Sequence, residues 1–161
     1  SNLKLGSGIA PVPELLAEGV SVSLGADGAP CNNNLDGFLE MRLAALLHKP
    51  RCGPRAMPAS EVVRMATLGG AAALGLDAEI GSLEVGKRAD LIAVDASGAH
   101  VAPTADPYAA VVYACRSSDV VSVVVDGRVV VRDRRLLTAD RAQVVAEARD
   151  RAGRVFARLS V

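Results

Sequence analysis

Val20, Val22 and Leu24 alternate with Ser21 and Ser23, and the alternation stops at Gly25-Ala26-Asp27-Gly28. A period of two is the pattern of a strand with one buried face, so the segment predicts a short strand running onto a sterically light corner. Asp27 stands just past its end. In β/α folds the strand C-termini converge on one mouth, where polar side chains can meet a ligand. A lone carboxylate in that position is a candidate metal ligand or proton acceptor. Asp27-Gly28 is also a common turn dipeptide, and spacing alone leaves both readings open.

Half of the 161 residues are hydrophobic, enough for a sizeable core. Lysine plus arginine and aspartate plus glutamate each number 18, so the formal charge is zero. That balance gives no electrostatic basis for binding nucleic acid or an anionic membrane. Two Phe, two Tyr and no Trp leave little surface for base stacking. No apolar run approaches the roughly 20 residues of a membrane span, and no signal peptide is evident. Cys31, Cys52 and Cys115 are odd in number and lack paired metal spacing, which fits a reduced, cytoplasmic protein.

Along the chain, Ser1 to Ala10 shows no helical period and reads as a strand exit into a loop. Pro11-Val12-Pro13 opens a short helix over Glu14 to Glu18, stopped by Gly19. Asp36 caps a helix from Gly37 to His48, with Phe38, Met41, Leu43, Ala45 and Leu46 as its apolar face and Pro50 as its stop. Pro58 opens another helix through Ala66, followed by a break and a short helix closed by Gly75. From residue 80 the character changes. Leu83, Leu91 to Val94, Val120 to Val125 and Val129 to Val131 are strand-like, with Asp126-Gly127 as a hairpin turn. Tyr108 to Cys115 predicts a short helix, and Ala139 to Leu159 a long one.

Two blocks carry a resemblance. Ser1 to Pro11, the Val20 segment and Gly25-Ala26-Asp27-Gly28 with Asn32-Asn33-Asn34-Leu35-Asp36 form the first. Gly81-Ser82-Leu83-Glu84-Val85-Gly86-Lys87-Arg88-Ala89-Asp90-Leu91-Ile92-Ala93-Val94-Asp95 forms the second. Together they resemble the amidohydrolase superfamily, in the branch of 5-methylthioadenosine/S-adenosylhomocysteine deaminases and related heterocycle deaminases and chlorohydrolases. The resemblance implies an α/β fold: the C-terminal part of a (β/α)8 metal-dependent hydrolase barrel in residues 1–79, and a small β-sandwich-like domain with a C-terminal helix in residues 80–161.

The resemblance further makes Asp27 the aspartate at the end of the last barrel strand, where it ligates Zn2+ or Fe2+ and accepts a proton. The cation activates water to attack the ring carbon bearing the leaving group. Ala26 stands where close relatives carry threonine, and Cys31 where serine is common. Asn2, Asn32 and Asn33 are candidate substrate contacts, with helix capping the competing role for the asparagines of the loop. Asp36 is assigned to capping, and Glu61, Arg64 and Asp119 to solvated faces. His48 is placed at the negative end of a helix dipole and His100 in a polar loop.

Two histidines do not supply the family's ligand set, and a catalytic zinc takes about three protein ligands. The expectation is therefore a C-terminal fragment of a metal-dependent aminohydrolase that releases ammonia from a purine-type heterocycle, inactive alone, with the remaining ligands in an N-terminal portion. A heterocycle chlorohydrolase and a catalytically silent assembly module are the alternatives. A small heterocyclic substrate and a homo-oligomer complete the expectation; the Gly81–Asp95 block is read as structural.

Overall fold

A computed structural model describes residues 1–159 and shows a helical first half followed by a four-stranded antiparallel sheet and a long helix. The first half contains α1 (Asn2–Leu5), α2 (Val12–Ala17), α3 (Ala29–Asn32), α4 (Gly37–Leu47), α5 (Lys49–Cys52), α6 (Ala59–Ala66) and α7 (Leu68–Ala73). The single turn α1 corrects the expectation of a helix-free start: Leu5 N–H reaches the Ser1 carbonyl at 2.9 Å and Gly6 closes the turn at φ 68°. Helix α2 ends as expected at Gly19, whose φ of 74° suits a residue without Cβ.

Asp36 caps α4 through Oδ1, which accepts from the Phe38 N–H at 2.9 Å and the Leu39 N–H at 3.3 Å. Such a cap is worth about 1 kcal/mol. The helix stops at Leu47, earlier than expected, and Pro50 belongs to the following turn α5 instead of ending α4. Leu46, expected on the apolar face, is exposed; Phe38 and Ala45 are buried.

Val20–Leu24 forms no hydrogen-bonded ladder among the described residues, which corrects the expected strand. A strand needs a neighbour for its N–H and C=O groups, and no described segment pairs with this one. The period-two pattern nevertheless shows in burial: Val22, Leu24 and Ala26 are half-buried while Ser21, Ser23 and Gly25 are exposed. Gly69 lets α7 come close here, since a Cβ on it would lie 2.9 Å from the Val22 carbonyl oxygen.

Val22 and Leu24 pack against the main core of Ala45, Met57, Val62, Met65 and Val112. Full burial of a side chain such as Val62 or Met65 contributes about 1.5–3 kcal/mol. Val112 comes from a π-helical turn (Ala110–Ala114) that follows α8 (Pro107–Ala109), so the second half of the chain plugs the helical core. A smaller core gathers Phe38, Val101, Ala110 and Cys115.

The sheet runs β1 (Leu91–Val94), β2 (Val120–Val125), β3 (Arg128–Arg132) and β4 (Arg135–Leu136), in that order and antiparallel throughout. Asp126 and Gly127 turn β2 into β3 with φ of 49° and 75°, the left-handed pair that matches strand twist. The Gly81–Asp95 block serves this sheet. Asp90 Oδ1 accepts from the Asp126 N–H at 2.6 Å, the Ala89 carbonyl from the Gly127 N–H at 3.1 Å, and Arg88 donates to Glu79 at 2.7 Å. Leu83, expected in a strand, lies in an exposed loop because no ladder partner reaches it.

Gly81 has φ +94°, and a Cβ there would sit 2.8 Å from the Ala71 Cβ and 3.2 Å from the Leu68 Cα. Gly81→Ala is therefore expected to lower stability by about 1–3 kcal/mol, read as a drop in the denaturation midpoint. An unchanged midpoint would mean that the α7–loop contact is easily relaxed.

Asp119, expected on a solvated face, is buried in a short 3₁₀ turn (Ser117–Asp119). Its Oδ2 accepts from the Arg116 N–H at 2.9 Å and lies 2.8 Å from His100 Nε2. These contacts, His100 foremost, hold its carboxyl below the ordinary carboxylate range. His100 lies in a loop as expected, and there it is tied to Asp119. Helix α9 (Arg141–Leu159) is capped by Asp140, whose Oδ1 accepts from the Ala142 N–H at 2.8 Å. Its Val144 and Val155 are exposed.

Candidate active-site carboxylate

Asp27 lies at the end of the Val20–Leu24 segment, exposed, with its backbone at φ 61°. Aspartate tolerates this left-handed region better than most residues because its short side chain bonds locally. Here Oδ1 accepts from the Gly28 N–H at 2.6 Å. That bond, with further bonds donated by the Ser1 hydroxyl and the Cys31 thiol, lowers the Asp27 pKa. The group is ionised at neutral pH, so it can bind a cation or accept a proton. Asp27 makes a corner through its left-handed φ, and Gly28 after it is the N-cap of α3; among the described residues no hydrogen-bonded turn closes over the pair.

The loop that follows is held by its asparagines. Asn32 Nδ2 donates to the Ala26 carbonyl at 2.6 Å and to Glu40 Oε1 at 2.7 Å, and its Oδ1 accepts from the Asn34 N–H at 3.3 Å. Asn33 ends α3 at φ 66°, and its Oδ1 accepts from Lys4 Nζ. Lys4 also donates to the Pro30 carbonyl at 3.5 Å, so α1 and α3 are clasped beside Asp27. Asn2 is exposed on α1. Asp36 Oδ2 accepts from Ser117 Oγ at 2.9 Å, linking the α4 cap to the second half of the chain.

Sequence reasoning passed over Glu40 and Lys4. Glu40 reads as an acidic residue in the first turn of a helix, where the dipole favours it. Its bond to Asn32 crosses a loop, and no local pattern announces that. Lys4 reaches 29 positions along the chain, equally invisible to periodicity.

A pocket of about 240 Å³ borders Asn2, Leu24, Gly25, Glu40, His48 and Met65, and stops short of Asp27. His48, at the end of α4, is buried, and burial is the main influence pushing its pKa down. His48 stands at the C-cap of α4, the negative end of the helix dipole as expected, but its lowered pKa leaves the imidazole little charge to offer there. Among the described residues, no three His, Cys, Asp or Glu side chains converge as a metal site. Asp27 by itself offers one ligand.

The chain belongs to the Amidohydrolase family, whose profile matches residues 1–130. It is 55% identical over 150 residues to the 5-methylthioadenosine/S-adenosylhomocysteine deaminase of Syntrophobacter fumaroxidans, covering 92% of this chain and 34% of that protein. To the 5'-deoxyadenosine deaminase of Methanosarcina mazei it is 47% identical over 161 residues, 99% of this chain and 37% of that one.

Solved structures agree. An adenosine deaminase from Xanthomonas campestris with bound zinc matches with a TM-score of 0.93 and 40% identity over 97% of this chain and 36% of that one. Atrazine chlorohydrolase from Arthrobacter aurescens, complexed with zinc, matches with a TM-score of 0.81 and 34% identity, over 91% and 33%. The chain spans about a third of the length of the relatives it matches.

Proposed function

We propose that the full-length protein is a metal-dependent aminohydrolase that hydrolytically deaminates a purine-type heterocycle and releases ammonia. Residues 1–79 contribute the last β/α units of its (β/α)8 barrel, and residues 80–161 a small sandwich-like domain, whose described residues include the antiparallel sheet, short helical turns and α9. The observation that carries this reading is Asp27, ionised and exposed at a left-handed corner, in a chain 55% identical to a deaminase.

The described residues do not build a metal site by themselves, and the remaining ligands belong to the rest of the full-length protein. Zinc is the favoured cation, iron the alternative, since two structural relatives hold zinc. When bound, the cation's contribution is to activate water at neutral pH. Asp27 contributes one charged oxygen toward the cation and a place for a proton. Asn2, on the pocket rim, is the asparagine we assign to substrate; Asn32 and Asn33 have their side chains engaged within the chain. Exposed Ile92 and Val144 support further association, within the full-length protein and in a homo-oligomer.

The likeness to atrazine chlorohydrolase favours one second reading, dechlorination of a heterocycle. Purified full-length protein assayed with adenosine-type nucleosides and with a chlorotriazine distinguishes the two. Ammonia release with about one zinc per chain is expected. Chloride release in its place transfers the assignment to the second reading. Neither product, with no bound metal, points to an assembly role.

A further inference from the structure

We propose that Glu40 and Asn32 act as a positioning pair that holds Asp27 toward its cation, an inference that rests on the metal-ligand reading given above. Asp27 is exposed, and its φ of 61° is a conformation that the surroundings must maintain. Beside the Ser1 and Cys31 bonds to the Asp27 carboxylate, the backbone of this corner is held by the 2.6 Å bond from Asn32 Nδ2 to the carbonyl of Ala26, the residue immediately before Asp27.

Glu40 decides how Asn32 makes that contact. Its Oε1 accepts from the same Nδ2 at 2.7 Å, and both groups are half-buried. An acceptor on each side forces the carboxamide to present its NH₂ edge, and not its oxygen, to Ala26. A flipped carboxamide would set oxygen against oxygen at both contacts. Glu40 sits in the first turn of α4, which Asp36 caps, and the outer oxygen of Asp36 is bonded to Ser117. The acceptor is therefore carried on a helix anchored at its start, and the corner inherits that rigidity. Groups that orient a metal ligand in this way commonly change metal affinity or activity by about 10–100-fold when removed.

The test uses the full-length protein with Glu40→Ala, Glu40→Gln, Asn32→Ala and the double variant, reading zinc affinity by chelator competition alongside kcat and KM. Glu40→Ala is expected to weaken zinc binding about 10-fold and to lower kcat, with KM little changed. Glu40→Gln keeps an acceptor for Asn32 and is expected to stay near the parent. The double variant is expected to be no weaker than Asn32→Ala, because the two residues work as one unit. Glu40→Met, which keeps the side-chain volume, takes the place of Glu40→Ala if that variant does not fold.

Equal losses in Glu40→Gln and Glu40→Ala would overturn the proposal, since charge facing the pocket, and not the acceptor, would then matter. Parent-like zinc affinity in Glu40→Ala would overturn it as well. Asp27→Ala separates the two levels. If it binds zinc as tightly as the parent, the metal-ligand reading fails; if it loses zinc while Glu40→Ala does not, only the pairing fails.

Discussion

Asp27→Asn in the full-length protein is expected to reduce kcat/KM by more than about 100-fold and to lower zinc occupancy. The bound comes from a comparison: removing a partner that merely orients a ligand costs up to about 100-fold, and removing the ligand's charge costs more. Asparagine is the informative replacement because it nearly matches aspartate in shape and also tolerates the left-handed backbone at φ 61°. It can still accept from the Gly28 N–H, which bonds Oδ1 at 2.6 Å. The change lies on the surface, so stability is expected to move by no more than about 0.5 kcal/mol. Activity and zinc content at parent levels would leave Asp27 only a structural role at the corner that leads into α3.

Met65→Ala is expected to produce the largest loss of stability, about 2–5 kcal/mol, measured by denaturant unfolding. Met65 is 1% exposed and sits among Ala45, Met57, Val62 and Val112, from α4, the loop before α6, α6 itself and the π-helical turn. Truncation leaves a void that four separate segments would have to close. Leu74, 71% exposed, supplies the control: Leu74→Ala is expected to change stability by less than about 0.5 kcal/mol. Because Val22 and Leu24 pack on the same cluster, the Met65 void also loosens the segment that delivers Asp27. A loss equal to that of the Leu74 control would mean that the core around α6 repacks freely.

What the sequence determined by itself is a set of signals written between residues a few positions apart. The Asp36 cap of α4, the stop at Gly19 and the Asp126-Gly127 turn are local signals, and each forms as read. The corner at Asp27 belongs with them, since a period-two run ending in Gly25-Ala26-Asp27-Gly28 marks where the segment stops and which residue it presents. Residue chemistry at short range is enough for these, because the partners are neighbours along the backbone.

Only the tertiary structure decided the rest. Val20–Leu24 keeps the burial rhythm of a strand yet has no ladder, because pairing depends on a second segment at its side. Asp119 is buried because His100, 19 positions away, and the Arg116 N–H meet its carboxylate. His48 lies at a helix end as the sequence says, but burial, a property of the whole fold, sets its protonation. Glu40 looked like one more acidic residue near a helix start until the chain folded Asn32 against it. A pattern along the chain specifies where a group sits on its own element; which partner it meets, and therefore whether it is charged, held or free, is set by contacts that exist only after packing.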